Sequence, residues 1–209
     1  MKYPNFNEEK KLWKKGHNII IGLDEAGRGP LAGPVVAGAV VFLNYKSQSD
    51  FGINDSKKLS PEQREKIYNY FKNNSDIKWG IGIVSEKVID KINIFEATKL
   101  AMEKAVRQVE KKIKTNADFL ILDGNFKINS IVPQKSIVKA DQKVFSCALA
   151  SIFAKVTRDK IMQKEHKKYP NYGFDKHKGY GTAHHFEMIK KHGPCKIHRK
   201  SFYPISDNR

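Results

Sequence analysis

Cysteine is scarce in this chain: 209 residues hold two, Cys147 and Cys195. They stand far apart and in no Cys-x-x-Cys or Cys/His spacing. That excludes a disulfide framework and predicts reduced thiols in a cytoplasmic protein. The seven histidines gather late, with His184 and His185 adjacent, but no His-Glu-x-x-His or zinc-finger spacing occurs, so no zinc site is expected. Long apolar runs are missing as well. Nothing approaches the ~18 residues of a membrane-crossing helix, and Met1 to Lys15 lacks the apolar core of a signal peptide. The glycines match neither a dinucleotide fingerprint nor a phosphate loop, which disfavours a nucleotide cofactor. No Ser/His/Asp or Cys/His nucleophile motif stands out, and there is no internal repeat or low-complexity segment. Acid is in short supply: 22 Asp and Glu face 39 Lys and Arg, a formal charge of +17. Such an excess is silent about fold but points to a polyanionic partner, nucleic acid before an anionic membrane surface.

What the chain does have is organised around Gly22-Leu23-Asp24-Glu25-Ala26-Gly27-Arg28-Gly29-Pro30. The β-branched run Ile19 to Ile21 before it reads as a short buried strand. That strand is expected to deliver Asp24 and Glu25 to its C-terminal end, where open α/β sheets site their chemistry. Adjacent carboxylates repel and are costly to bury unless a cation lies beside them. Gly27 and Gly29 allow positive φ and close approach of a foreign backbone, and Arg28 between them is suited to phosphate.

Strands and helices then alternate. Val35 to Phe42 is a second strand, paired with the first. Residues 44 to 54 read as a loop, and Ser56 and Lys57 in the approach to the next helix are candidate phosphate ligands. Ser60-Pro61-Glu62-Gln63 is a helix start, with Ser as N-cap and Gln three residues on. The helix is expected to reach Lys72 with Ile67, Tyr70 and Phe71 inward. Ile77, Trp79, Ile81 and Ile83 alternate as a strand, Ser85 caps a short helix, and Asn93 or Ile94 opens a longer one to Lys112. Phe119 to Leu122 is a central strand ending at Asp123-Gly124, and Ser136 to Val138 is a short one. Asp141 is expected to cap a long helix over 142–166, whose small residues at 147–151 let it lie close on a sheet. Thr182 caps a last helix that stops at Gly193-Pro194. The pattern predicts an α/β fold with one mixed sheet flanked by helices. Residues 1–17 form an N-terminal extension too short to be a domain, 18–168 the main domain, and 169–209 a small C-terminal helical appendage.

Asp24, Glu25, Asp123 and Asp141 are therefore the candidate catalytic and metal-ligating set. Oxygen-only ligands favour a hard cation, Mg²⁺ or Mn²⁺. Four carboxylates can hold two such ions, which would clamp the attacking water and the leaving oxygen of a phosphodiester displacement. Lys155 and Arg158, one helical turn apart, are candidate phosphate contacts. A basic nucleic-acid-binding protein without catalysis is the alternative, but it leaves acids that repel a polyanion unexplained.

The nine residues from Gly22 to Pro30 closely resemble the first motif of the bacterial ribonuclease HII family. Leu122-Asp123-Gly124 resembles the family's second acidic strand. Lys139-Ala140-Asp141 with the block from Ala150 to Asp159 resembles its aspartate-and-helix block. Lys178-Gly179-Tyr180-Gly181-Thr182 and His198-Arg199-Lys200-Ser201-Phe202 resemble its lysine-glycine-tyrosine turn and C-terminal signature. The likeness runs over residues 18 to 204 in preserved order, with no departure at an acidic position. It implies a ribonuclease H-like fold and endonucleolytic cutting of RNA in RNA–DNA hybrids and at ribonucleotides embedded in duplex DNA. It further implies that the Gly27-Arg28-Gly29 backbone contacts the ribose 2′-hydroxyl and that Tyr180 stacks at the junction. Replication or repair partners and a monomeric state belong to the same expectation. The type III enzymes, which usually carry an extra N-terminal domain, fit less well.

Overall fold

The computed structural model describes residues 3–44 and 59–208, so Ser56 and Lys57 lie outside the described residues. Five strands form one sheet: β1 (Ile20–Ala26), β2 (Val35–Phe42), β3 (Ile77–Val84), β4 (Phe119–Asp123) and β5 (Gln134–Ile137), in the order β3-β2-β1-β4-β5. β2 runs antiparallel to β1 and β3, whereas β4 runs parallel to β1 and β5. This is the mixed sheet expected from the alternation of elements.

β2 is buried at every position, and its period of two divides it between two layers. Val35, Ala37, Ala39 and Val41 pack with Ala97, Ala101, Met102, Ala105 and Val109 of α3 (Glu86–Ile113). Val40 and Phe42 pack on the other face with Ala148, Leu149, Ile152 and Phe153 of α4 (Phe145–Lys168), joined by Tyr68 and Phe71 of α2 (Pro61–Lys72). α4 lies close on the sheet, as its small residues suggest. A Cβ at Gly22 would collide with Ser146, and one at Gly38 with the Ala150 main chain.

Local signals place several helix ends. Ser60 and Gln63 form a reciprocal capping box on α2. α3 is kinked at Asn93, where φ is 67°; the Asn93 Oδ1 accepts from the Phe95 and Glu96 N–H groups and starts a fresh segment at the expected place. Ser85 precedes α3 but makes no side-chain cap bond. The Thr182 side chain accepts from the His185 N–H at the start of α6 (Ala183–His192), and Gly193 follows its end.

β1 runs through Ala26, so Asp24 and Glu25 lie among the last three residues of the strand, at the C-terminal end where they were expected. Three other readings are amended. Tyr70 is 56% exposed, and Tyr68 takes the inward position on α2. An additional helix, α1 (Asn7–Trp13), packs Leu12 and the preceding Phe6 into the interior. Asp141 does not cap α4: it lies in a 3-10 turn over Ala140–Gln142, and α4 begins at Phe145. The cap comes from Glu9 of α1, whose Oε1 accepts from the Ser146 N–H (3.0 Å) and hydroxyl (2.7 Å). Residues 172–205 pack Tyr172, Phe174, Ile189 and Ile205 on Leu31, Ala32 and Met162, next to the turn that follows β1.

Candidate active site

Leu23 of β1 pairs with Leu122 of β4 in parallel register, and the next residue on each strand is an aspartate. Two neighbouring strands thus present Asp24 and Asp123 at one level. Asp123 Oδ1 accepts from the Ala140 N–H at 2.7 Å, which docks the 3-10 turn and brings in the fully buried Asp141. One carboxylate oxygen of each of Asp24, Asp123 and Asp141 lies within 4.8 Å of the others. Glu25 is not in this group. It lines the same pocket, and its Oε1 accepts from Arg28 Nη1 at 3.3 Å.

The electrostatics show what the group lacks. Burial, then the charge on Glu25, then that on Asp123 hold the Asp24 carboxyl well above the usual carboxylate range. Bonds from the Ser151 hydroxyl and the Glu25 N–H only partly counter this. Three mutually repelling carboxylates at that spacing form an all-oxygen donor set, which fits a hard divalent cation.

The pocket over these acids has a volume of about 270 Å³. It is lined by Gly27, Arg28 and Gly29 of the turn, by Tyr180, by Arg64 of α2 and by Lys155 of α4. Lys155 is paired with Asp159 at 2.7 Å yet reaches the pocket. Tyr180 is 46% exposed, as a stacking residue requires. A larger cavity of about 670 Å³ near Tyr3, Lys11 and Lys135 holds a single acid, Glu8, already bridged by both lysines.

The two glycines of the turn differ. Gly27 has φ of 96°, and a Cβ there would collide with Arg158 Nε. Gly29 has no positive φ, contrary to expectation, and a Cβ there would meet only the Tyr180 ring at 3.8 Å. Arg158 is also corrected. It is 1% exposed, and its guanidinium donates to the carbonyls of Pro34, Lys178 and Ala32, so it holds loops together and does not face a phosphate. Sequence reasoning did not single out Arg64, which lines the pocket from the first turn of α2, or Arg199, which is buried and donates to the Gly27, Arg28 and Gly33 carbonyls.

The ribonuclease HII family model matches residues 21–204. The chain belongs to the ribonuclease HII family. A ribonuclease HII of Chlamydia caviae is 51% identical over 94% of this chain and 90% of its own length. One of Acetivibrio thermocellus is 53% identical over 93% of this chain and 73% of its own. Among solved structures, a ribonuclease H2 of Pyrococcus horikoshii aligns with TM-score 0.70 and 27% identity, covering 90% of this chain and 95% of that one. A Bst-RNase HIII solved with Mn²⁺ has TM-score 0.73 at 17% identity, covering 90% and 68%, a likeness of fold. A ribonuclease HII of this kind is a metal-dependent endoribonuclease that cleaves RNA within RNA–DNA hybrids, and the acid cluster is a compatible place for its divalent metal. No helix among the described residues is long and apolar enough to cross a membrane.

Proposed function

We propose that this protein also incises duplex DNA at single embedded ribonucleotides, using two divalent ions, Mn²⁺ or Mg²⁺, and leaving 5′-phosphate and 3′-hydroxyl ends. The observation that carries the reading is the gathering of Asp24, Asp123 and Asp141 beneath a pocket rimmed by a glycine turn and an exposed tyrosine. Asp24, Asp123 and Asp141 hold the metal, with Glu25 beside them as the fourth carboxylate. When bound, the ions supply the positive charge that activates water and stabilises the departing 3′ oxygen. The chain's own groups place the substrate. The Gly27-Arg28-Gly29 main chain reads the 2′-hydroxyl, the feature that separates RNA from DNA. Tyr180 stacks against the junction nucleotide. Arg28 and Lys155 hold flanking phosphates, and Ser56 and Lys57, which precede α2 in sequence, share that role. The basic excess draws in the polyanion from a distance.

Partners in replication or repair are part of the same reading. A ribonuclease HII of Archaeoglobus fulgidus, similar to this chain in fold, was solved in complex with PCNA. We take the working unit to be a monomer, checked by light scattering.

The decisive experiment incubates a DNA duplex carrying one ribonucleotide with the protein and either metal, and sizes the products. Cleavage at the ribonucleotide with a 3′-hydroxyl end is expected. Cleavage of continuous hybrids alone would remove the embedded-ribonucleotide activity from the reading.

A further inference from the structure

Behind the Gly27–Gly29 turn lies a second buried arginine. Arg199 is fully buried and cannot itself reach a substrate. Its Nη2 donates to the Gly27 carbonyl, its Nη1 to the Arg28 carbonyl at 2.8 Å, and its Nε to the Gly33 carbonyl at 3.0 Å. The residue is firmly placed. Asp90 of α3 accepts from the N–H groups of Lys200 and Ser201 and from the Ser201 hydroxyl, and the Phe202 ring lies 5.0 Å from the guanidinium carbon. Arg158 beside it anchors Ala32, Pro34 and Lys178 in the same way, so all six hydrogen bonds of the two guanidiniums go to main-chain carbonyls.

In a planar trans peptide the carbonyl of one residue and the N–H of the next point in opposite directions. The Gly27 carbonyl is opposed by the Arg28 N–H, and the Arg28 carbonyl by the Gly29 N–H. With both carbonyls turned inward onto one guanidinium, both N–H groups point away from it, and Arg28 and Gly29 themselves line the pocket. Gly29 is uncrowded as well: a Cβ there would have the Tyr180 ring, at 3.8 Å, as its nearest neighbour.

We propose that Arg199 is a positioning residue for ribose recognition, aiming the Arg28 and Gly29 N–H groups at the substrate 2′-hydroxyl by holding the carbonyls behind them. The inference rests on the reading of the turn as the hydroxyl sensor. A guanidinium is the group for the task because its planar fork spans several acceptors at fixed angles, whereas an ammonium offers a single nitrogen. Burial and the neighbouring Arg158 charge push the Arg199 guanidinium down to about 9, which leaves it charged at neutral pH.

The test compares binding of a duplex carrying one ribonucleotide with that of the all-DNA duplex, by fluorescence anisotropy, in an Asp123→Asn background that does not cut. Arg199→Lys is expected to lower the preference for the ribonucleotide duplex about tenfold, the worth of roughly one hydrogen bond, while affinity for all-DNA duplex stays near its starting value. A folded Arg199→Lys protein with an unchanged preference overturns the positioning role and leaves the sensor reading standing. A parent protein with no preference overturns both. Hydrogen–deuterium exchange on the unsubstituted Arg199 protein tests the same geometry should Arg199→Lys fail to fold. The Arg28 and Gly29 amides should be slowed by the ribonucleotide duplex and not by all-DNA duplex; equal effects of the two duplexes overturn the proposal.

Discussion

The carboxylate cluster and the arginine pair are both buried charge, and they are handled in opposite ways. Around Arg158 and Arg199 the protein supplies acceptors for the guanidiniums from its own main chain. Around Asp24 the nearest charges are other carboxylates, which raise the cost of ionisation. The first region is complete as folded and serves to shape loops. The second gathers repelling acid charge with no cation of its own beside Asp24, an arrangement compatible with the divalent metal that a metal-dependent nuclease uses.

The sharpest way to break this contrast is to remove charge from the acidic side. Asp123→Asn should lower the cleavage rate by roughly 10³-fold or more while the metal-free protein melts no lower than the wild type. Divalent metal should raise the melting temperature of the wild type more than that of the variant. Full activity at saturating metal would take Asp123 out of the site. On the basic side the outcome should reverse. Arg158→Met strands three carbonyls and should destabilise the fold by roughly 3 kcal/mol or more, about 1–3 kcal/mol for each unsatisfied acceptor; a melting point close to wild type would show that the loops find other donors.

Two substitutions at the rim test recognition instead of charge. Tyr180→Ala should slow incision at a single ribonucleotide roughly ten- to a hundredfold, the worth of one stacked ring, and slow cutting of a long hybrid less. Equal losses on both substrates would make Tyr180 an ordinary packing residue. Gly29→Ala should leave the melting temperature unchanged, since the apo turn has room for a methyl, yet cut activity about tenfold by intruding on the substrate side. Gly27→Ala, facing Arg158, should instead lose stability. Were the two alanines to behave alike, the assignment of inner and outer glycine would be wrong.

The smallest effect concerns acid. His198 Nδ1 accepts from the Cys195 N–H, so its Nε2–H donates to His185 Nε2 at 3.0 Å, and His185 Nδ1–H donates to the Tyr180 carbonyl. Both rings are neutral, pushed down to about 4 chiefly by burial. An unfolded histidine takes up its proton near 6.5, so between 6.5 and about 4 the unfolded chain binds more protons. Stability present above 6.5 is lost as pH falls through that window. The melting temperature should drop between about pH 7 and 5, and His198→Gln, with one titrating partner fewer, should show a shallower drop. An equal slope in the two proteins would take the histidine pair out of the acid response.

Much of this molecule was determined by the sequence alone. Strand periods, the Ser60 capping box, the Asn93 restart, the Thr182 cap and the strand-end placing of Asp24 and Asp123 all depend on neighbours within a few residues, and local sterics and hydrogen bonding suffice to read them. What only the tertiary structure decided depends on partners outside any local window, some of them more than a hundred residues away. α1 is a seven-residue helix, too short to be stable alone, and exists because Phe6 and Leu12 find the sheet. Glu9 caps α4 across 137 positions, while Asp141, the obvious local cap, turns with the Asp123–Ala140 bond toward the other acids. From sequence, Arg158 is a candidate phosphate contact and Arg199 only part of a C-terminal signature. They turn inward because the loops at 27–34 and 178 bring carbonyls with no strand to pair with, and a buried carbonyl must have a donor. Hydrogen-bond demand of that kind is created by the fold, so no window of sequence contains it.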